Sequence, residues 1–330
     1  PPAKAEAIDA FLAEQTEGVQ PGIAVGVVMN GEVVLERYLG YANLEHEIPL
    51  DARSRFNIAS NAKQYTALMV LDLAAAGAID LNEDFRTYLP DAMPKVEARI
   101  AVRDLLTHGS GIRDVYDLWG LTGVTWYERP FRSRDALALL DGQRDLNFAP
   151  GSDHLYSNSN YILLASLVAA VTGEPFHAYA KTFFERLGMH ETGVRRRYGV
   201  VVPHEARPYG NWNGWLADPG IANLHGDGFL YTTLGDQLNW ERQVQGGESA
   251  LGRATTTASQ GTVEGSPVET DGYGLELGAY KGLPLRSHVG STGGANAYVM
   301  RFPDQQTSIV VLGNTTQVSV VGVGQKIADL

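Results

Sequence analysis

The first strong pattern along the chain is Ile23-Ala24-Val25-Gly26-Val27-Val28-Met29, an apolar and β-branched run followed by Asn30-Gly31 and then Glu32-Val33-Val34-Leu35. Two such runs joined by Asn-Gly predict a hairpin, because both turn residues tolerate the positive φ of a type I′ turn. An amphipathic helix over residues 5–12 precedes it. The C-terminal part again reads as strands, over 273–280, 285–289, 297–302 and 308–312, separated by Lys281-Gly282, Gly293-Gly294 and Pro303-Asp304. A last helix is expected over 318–330, weakened in its first turns by Gly322 and Gly324. Between the two ends the pattern is helical, over 63–76 closed by Gly77, 133–140, and 159–172 closed by Gly173.

Strands that bracket helices in this way predict an α+β fold, with one antiparallel sheet built from both chain ends, flanked by helices, and a mainly helical region inserted in the middle. The expected boundaries are 1–58 and 226–330 for the sheet domain and 59–225 for the helical domain. A ligand cleft is expected where the two meet.

Composition narrows the function classes. A chain of 330 residues, 44% of them hydrophobic, can bury a large core. Its net charge of −12 argues against a nucleic-acid surface, which needs clustered lysine and arginine. The basic run Arg195-Arg196-Arg197 reads as a solvated loop after a helix. The absence of cysteine excludes disulfides, thiol catalysis and zinc–thiolate sites. No stretch approaches the roughly 18 apolar residues that a spanning helix needs. The opening Pro1-Pro2-Ala3, without methionine, reads as a trimmed or processed end, which gives periplasmic or secreted localisation as the expectation and cytoplasmic as the alternative. Oligomeric state does not follow from the sequence.

Three motifs carry chemistry. In Phe56-Asn57-Ile58-Ala59-Ser60-Asn61-Ala62-Lys63, Ser60 stands at the start of a strong helix, and residues i and i+3 of a helix share a face. Lys63 can therefore bring its amine beside the Ser60 hydroxyl and accept its proton. By themselves the two residues read more simply as a helix cap and a solvated lysine. In Leu155-Tyr156-Ser157-Asn158, alternate residues of an extended loop point the same way, so the Tyr156 hydroxyl and the Asn158 amide can enter one cleft. Read alone, they are a half-buried core residue and an N-cap. In Arg286-Ser287-His288-Val289-Gly290-Ser291-Thr292-Gly293-Gly294, His288 and Gly290 face one side of a strand. A glycine there lets a substrate backbone approach. The Ser291 N–H, with that of Ser60, would supply an oxyanion hole.

The ordered set Ser60-x-x-Lys63, Tyr156-x-Asn158, His288-x-Gly290 resembles the serine β-lactamase and DD-peptidase superfamily of penicillin-recognising serine hydrolases. Gln20-Pro21-Gly22-Ile23, Leu105-Leu106-Thr107-His108-Gly109-Ser110-Gly111 and Gly226-Asp227-Gly228-Phe229-Leu230-Tyr231-Thr232-Thr233 look like further landmarks, so the resemblance covers nearly the whole chain. It implies Ser60 as nucleophile, Lys63 and Tyr156 as general base and acid, Asn158 as a ligand of substrate and lysine, and His288 as an electrostatic element. No metal or organic cofactor is implied. Many members carry Lys-Thr-Gly at the third motif. Here a histidine, only partly charged near neutral pH, replaces the cation, and Val289 removes the hydroxyl. That departure argues against strong β-lactamase activity and resembles the D-aminopeptidases, D-amino-acid amidases and some DD-peptidases of the group.

The expected function is a D-stereospecific peptidase or amidase working through an acyl-enzyme on Ser60, with a small-molecule or peptide substrate. A carboxylesterase of the same fold and a penicillin-binding sensor without turnover are the alternatives. Among the remaining residues, His108 reads as a turn residue. Asp227 reads as a turn residue whose nearness to the cleft makes it a candidate for a substrate amine. Tyr209, Trp212 and Trp215 read as a packed surface loop that can also line the leaving-group pocket.

Overall fold

The computed structural model describes residues 2–124, 128–218, 220, 222–247, 249–264 and 266–330; the terminal Pro1 lies outside them. Asn30 and Gly31 take φ of 50° and 77°, and the chain reverses there between β1 (Ile23–Met29) and β2 (Glu32–Leu39). Four more strands come from the other end of the chain: β3 (Glu276–Tyr280), β4 (Leu283–Thr292), β5 (Ala295–Phe302) and β6 (Thr307–Gly313). All six form one sheet in the order β3-β4-β5-β6-β1-β2, with every neighbouring pair antiparallel. The two chain ends are stitched together where β1 meets β6, from Ile23 opposite Gly313 to Met29 opposite Thr307.

β1 is apolar throughout because both of its faces are covered. Ile23, Val25 and Val27 enter a core cluster with Ile8 and Leu12 of the helix Pro2–Ala13, and with Val323 and Ile327 of the helix Val320–Asp329. Ala24 and Val28 point the other way, into the large cluster that contains Leu238 and Trp240 of the helix Leu234–Gly246. That same cluster takes in the helices Lys63–Ala75 and Asn158–Thr172 through Leu68, Met69, Leu163 and Leu167. Sheet and helical region therefore share one continuous core. Gly173 ends the second of these helices in the left-handed region, at φ 71°. Among the described residues no single helix is long and apolar enough to cross a membrane.

Several elements differ from the sequence expectation. The strand expected over 273–280 begins only at Glu276, because Gly274, at φ +72°, turns its backbone against the start of the helix at Lys63. A Cβ at Gly274 would lie 2.7 Å from the Gln64 Cα and the Lys63 carbonyl oxygen. The helices Phe176–Arg186 and Leu234–Gly246 were not read from the sequence, and the second has a mixed polar pattern that masks its packing face. Arg195 is not a solvated loop residue: its side chain is about one-tenth exposed, 3.4 Å from Glu205 and 4.9 Å over the Tyr231 ring.

One ion pair lies inside the shared core. Arg301 on β5 meets Glu241 in a two-pronged contact, Nε to Oε2 and Nη2 to Oε1, each 2.7 Å, with the side chains 3% and 0% exposed. Removing one partner of such a pair strands the other charge, whereas replacing both by apolar groups can be neutral. Arg301→Met is expected to lower stability by about 3–5 kcal/mol, with much of that restored in the double variant Arg301→Met/Glu241→Leu. Urea unfolding of the three proteins checks it, and an additive double variant would contradict the reading.

Candidate active site

The site begins with a tight turn. Residues Ala59–Ala62 form a single 3-10 turn that leads directly into the helix Lys63–Ala75. Ala59 enters it at φ +46°, in the left-handed region that a non-glycine residue adopts only at a cost. Across this turn Ser60 and Lys63 share a face, and the Lys63 Nζ lies 3.1 Å from the Ser60 Oγ. Lys63 is fully buried. Its other two contacts are the Asn158 Oδ1 at 2.9 Å and the Asp227 carbonyl oxygen at 2.7 Å. Both are obligate acceptors, so two N–H bonds of the amine are committed. The third position faces Ser60, where a hydroxyl can donate or accept.

Tyr156 reaches the same oxygen from the solvent side, its hydroxyl donating to the Ser60 Oγ at 2.9 Å and standing 3.4 Å from the Asn158 Oδ1. The loop that carries it is held by His108. The His108 ring lies against the Tyr156 ring, centroids 4.5 Å apart, and its Nδ1 accepts the Ser157 N–H at 3.2 Å. Burial, reinforced by Lys63, pushes the His108 ring well below the usual histidine range, which keeps Nδ1 free to accept. His108 is the turn residue expected, at φ +55°, and it also braces Tyr156.

Asp114 was missed by the sequence reading. Its Oδ2 accepts both the backbone N–H and the side-chain Nδ2 of Asn158, at 2.6 and 2.8 Å. A carboxylate can only accept, so it fixes the amide with its oxygen towards Lys63. Asp114 is also the N-cap of the helix Val115–Leu121, accepting from the Tyr116 N–H at 2.8 Å. That cap, a polar residue just before a helix, was the signal available in the sequence.

The third motif packs directly against the turn that carries Ser60. Gly290 is needed by the protein's own backbone: a Cβ there would collide with the Ile58 carbonyl oxygen and lie 2.9 and 3.0 Å from the Asn61 and Ser60 nitrogens. His288 does not supply a partial cation. Its ring is buried, its Nδ1 donates to the Val289 carbonyl at 2.7 Å, and burial, with Lys63 adding to it, lowers its pKa to about 4. The link from His288 to the nucleophile runs through its backbone, whose carbonyl accepts the Asn61 Nδ2 at 2.8 Å.

Ser60, Asn158 and Ser291 line a cleft of about 730 Å³, with Tyr116, Trp119 and Phe229 as its aromatic walls. Tyr209, Trp212 and Trp215 are not among its lining residues; they belong to the hairpin Tyr209–Asn211 and Trp215–Ala217, where Trp212 faces solvent. Asp227 is among the residues that border the cleft, buried, its Oδ2 taking the Tyr116 hydroxyl at 2.8 Å.

Fold and cluster together define a protein of the Ser-x-x-Lys type, an α+β sheet-and-helix structure with serine, lysine and tyrosine converging on one oxygen. A sequence model of the beta-lactamase family matches residues 6–329, and the chain belongs to that family. D-aminopeptidases from Gluconobacter oxydans and Brucella anthropi are each 28% identical, over 320 and 313 residues, with 93% of this chain matched in both cases. The chain spans 58% and 59% of the lengths of those relatives. Among solved structures, the D-amino acid amidase from Ochrobactrum anthropi SV3 complexed with D-phenylalanine superposes with a TM-score of 0.82 at 22% identity, covering 99% of this chain and 98% of that one. The octameric penicillin-binding protein homologue from Pyrococcus abyssi gives 0.84 at 21%, covering 98% and 76%. At these identities the likeness establishes the fold.

Two outcomes follow from the third motif. Gly290→Ala is expected to lose about 1–3 kcal/mol of stability by overpacking, while Gly278→Ala on β3, with nothing within 4 Å of its Cβ, stays close to the parent; thermal melts of both check this. The His288 pKa is about 4 in the folded chain and about 6.5 when unfolded. Its contribution to stability is thus complete above the unfolded value and disappears as pH falls towards the folded one. Against His288→Gln, the parent is expected to lose stability progressively between about pH 6.5 and pH 4. A pH-independent difference in urea unfolding would show that the ring is not held neutral.

Proposed function

We propose that the chain is a D-stereospecific serine amidase or peptidase that forms an acyl-enzyme on Ser60. The observation that carries the reading is the double contact on one oxygen: the Ser60 Oγ has the Lys63 Nζ at 3.1 Å and the Tyr156 hydroxyl at 2.9 Å. That oxygen opens onto the cleft. The D-aminopeptidase relatives point the same way. Site and cleft are taken to lie between a sheet domain, 1–58 with 226–330, and a helical domain, 59–225.

In this mechanism the Ser60 Oγ attacks the substrate carbonyl carbon as its proton passes to Lys63. The oxyanion is held by the Ser60 and Ser291 N–H groups. Tyr156, between serine and solvent, hands a proton to the departing amine as the carbon–nitrogen bond breaks. Water then attacks the ester, with the same lysine and tyrosine moving its proton and Ser60 recovering its hydrogen. Asn158, oriented by Asp114, keeps the lysine on Ser60 and presents its amide edge to the substrate. Without a cation at the third motif, this chemistry does not favour substrates that need their carboxylate anchored there.

Intact mass after fluorophosphonate exposure, read beside turnover of D- and L-alanyl-p-nitroanilide, tests the reading. A single adduct, abolished in Ser60→Ala, is expected with turnover of the D-anilide. Lys63→Ala is expected to reduce kcat/KM by about 10³-fold or more, and Tyr156→Phe by about 10²-fold. Equal activity in Ser60→Ala and parent would refute the mechanism. Ester turnover without anilide turnover would make the chain a carboxylesterase, and a stable penicillin adduct with no turnover would make it a binding protein.

A further inference from the structure

The loop that carries Tyr156 is held by two other parts of the chain. The N–H groups of Gly151 and Leu155 donate to the carbonyls of Gly109 and His108, at 2.8 and 3.1 Å, and that of Ser157 donates to the His108 ring. The second hold is His154, whose Nε2 lies 3.2 Å from the Oδ2 of Asp271; neither atom takes a hydrogen bond from elsewhere. Asp271 is buried. It belongs to a tight turn in which the Gly272 N–H donates to the Leu275 carbonyl and the Leu277 N–H to the Thr270 carbonyl, each at 2.8 Å. Gly274 of the same turn is the residue packed against Lys63 and Gln64. One short segment therefore touches both proton carriers of the site: Lys63 through the main chain, and the Tyr156 loop through a side-chain pair. Burial raises the Asp271 carboxyl to about 8, with Glu276 adding to it. Burial also holds the His154 ring below the usual histidine range, against the opposing pull of Asp153. Near neutral pH the pair is thus a carboxylic acid facing a neutral imidazole, with one proton between them. The other titratable groups around it are His108, its ring 6.0 Å from that of His154, and Tyr161 and Tyr273, both kept protonated by burial.

We propose that His154 and Asp271 are positioning residues for the reaction: the pair fixes the loop so that the Tyr156 hydroxyl stays on the Ser60 oxygen, where it can hand its proton to the leaving group. This rests on the reading of Ser60 as nucleophile and Tyr156 as acid. Lys63 is fully buried and fixed by three contacts, whereas Tyr156 is 40% exposed and its hydroxyl meets Ser60 and the edge of Asn158. Its place depends on its loop, and a displacement of about 1 Å is enough to cost a reaction most of its rate. His108 braces the Tyr156 ring. His154 adds a tie to the turn that also presses on the lysine, so the two proton carriers keep a set separation. An ionised Asp271 is a buried charge without a cation to pair with the neutral imidazole, so the protonated form holds the loop best. That hold is complete below the unfolded aspartate value of about 4 and is lost as pH rises through the folded value of about 8.

The test is kinetics with D-alanyl-p-nitroanilide on His154→Ala, Asp271→Ala and Asp271→Asn, each made in the parent and in Tyr156→Phe, with fluorophosphonate adduct formation measured on every protein. In the parent, each alanine variant is expected to lower kcat about tenfold with KM within about twofold. In Tyr156→Phe the same changes are expected to move kcat by less than about twofold, because the hydroxyl they position is already gone. Asp271→Asn keeps a neutral donor towards the imidazole and is expected to recover most of the loss. The kcat of the parent relative to Asp271→Asn is expected to fall as pH rises through about 8. Alanine variants that lose the same factor in both backgrounds act on the fold alone and overturn the proposal, as does a parent-to-Asn ratio that stays flat with pH. Either result, in a parent that forms the adduct and turns over, leaves the nucleophile standing. No adduct and no turnover in the parent overturn the reading of Ser60 as well.

Discussion

Everything in the site depends on how closely the chain packs against the turn that carries Ser60. Gly290 of β4 lies against the backbone of Ile58, Ser60 and Asn61, and Gly274 lies against Lys63 and Gln64. Neither contact leaves room for a single additional carbon. Side chains can change rotamer, but two main chains in contact cannot slide without breaking their own hydrogen bonds. The turn is therefore gripped along its length by backbone, and the strained φ of Ala59 persists because its surroundings over-determine it. Ser60 owes its position to the sheet rather than to its own helix. A buried polar chain extends the grip: Arg301, paired with Glu241, donates to Gln64 at 2.6 Å, Gln64 to Asn61, and Asn61 to the His288 carbonyl.

The second constraint is the buried amine. A fully buried lysine needs all of its positions occupied, and the three groups that occupy them come from distant parts of the chain. Ser60 belongs to its own turn, Asn158 to the start of a neighbouring helix, and Asp227 to a loop whose Gly226, at φ +101°, presses against the Tyr161 carbonyl. Each group is itself braced. Asp114 sets the Asn158 amide, and Tyr116 holds the Asp227 carboxylate. The cluster is a set of mutual dependencies, in which the buried lysine and the exposed Tyr156 meet on the same Ser60 oxygen.

How much of this was legible in the sequence follows from the range of each interaction. The hairpin at Asn30-Gly31, the closure at Gly173, and the convergence of Ser60 and Lys63 depend on residues a few positions apart, and local rules reach them. The assembly of the sheet from both chain ends was legible because strands cluster at the two ends. Long-range packing was not. Gly290 carried a strong signal of close approach, but the sequence could not say that the approaching backbone was the chain's own. His288 read as a partial cation because burial is invisible to a local pattern, and it is burial that makes the ring neutral. Asp114 and His108 act on residues about 45 positions away, Asn158 and Ser157, which no spacing rule connects.

These corrections bear on what the cleft selects. A protein that anchors a substrate carboxylate needs a cation on the strand wall, and here that wall presents Ser291, Thr292 and Gly293, with His288 turned inward and neutral. Lys63 cannot serve, since its positions are filled. The residue of formally charged type among the described lining of the cleft is instead Asp227, buried and held by the Tyr116 hydroxyl.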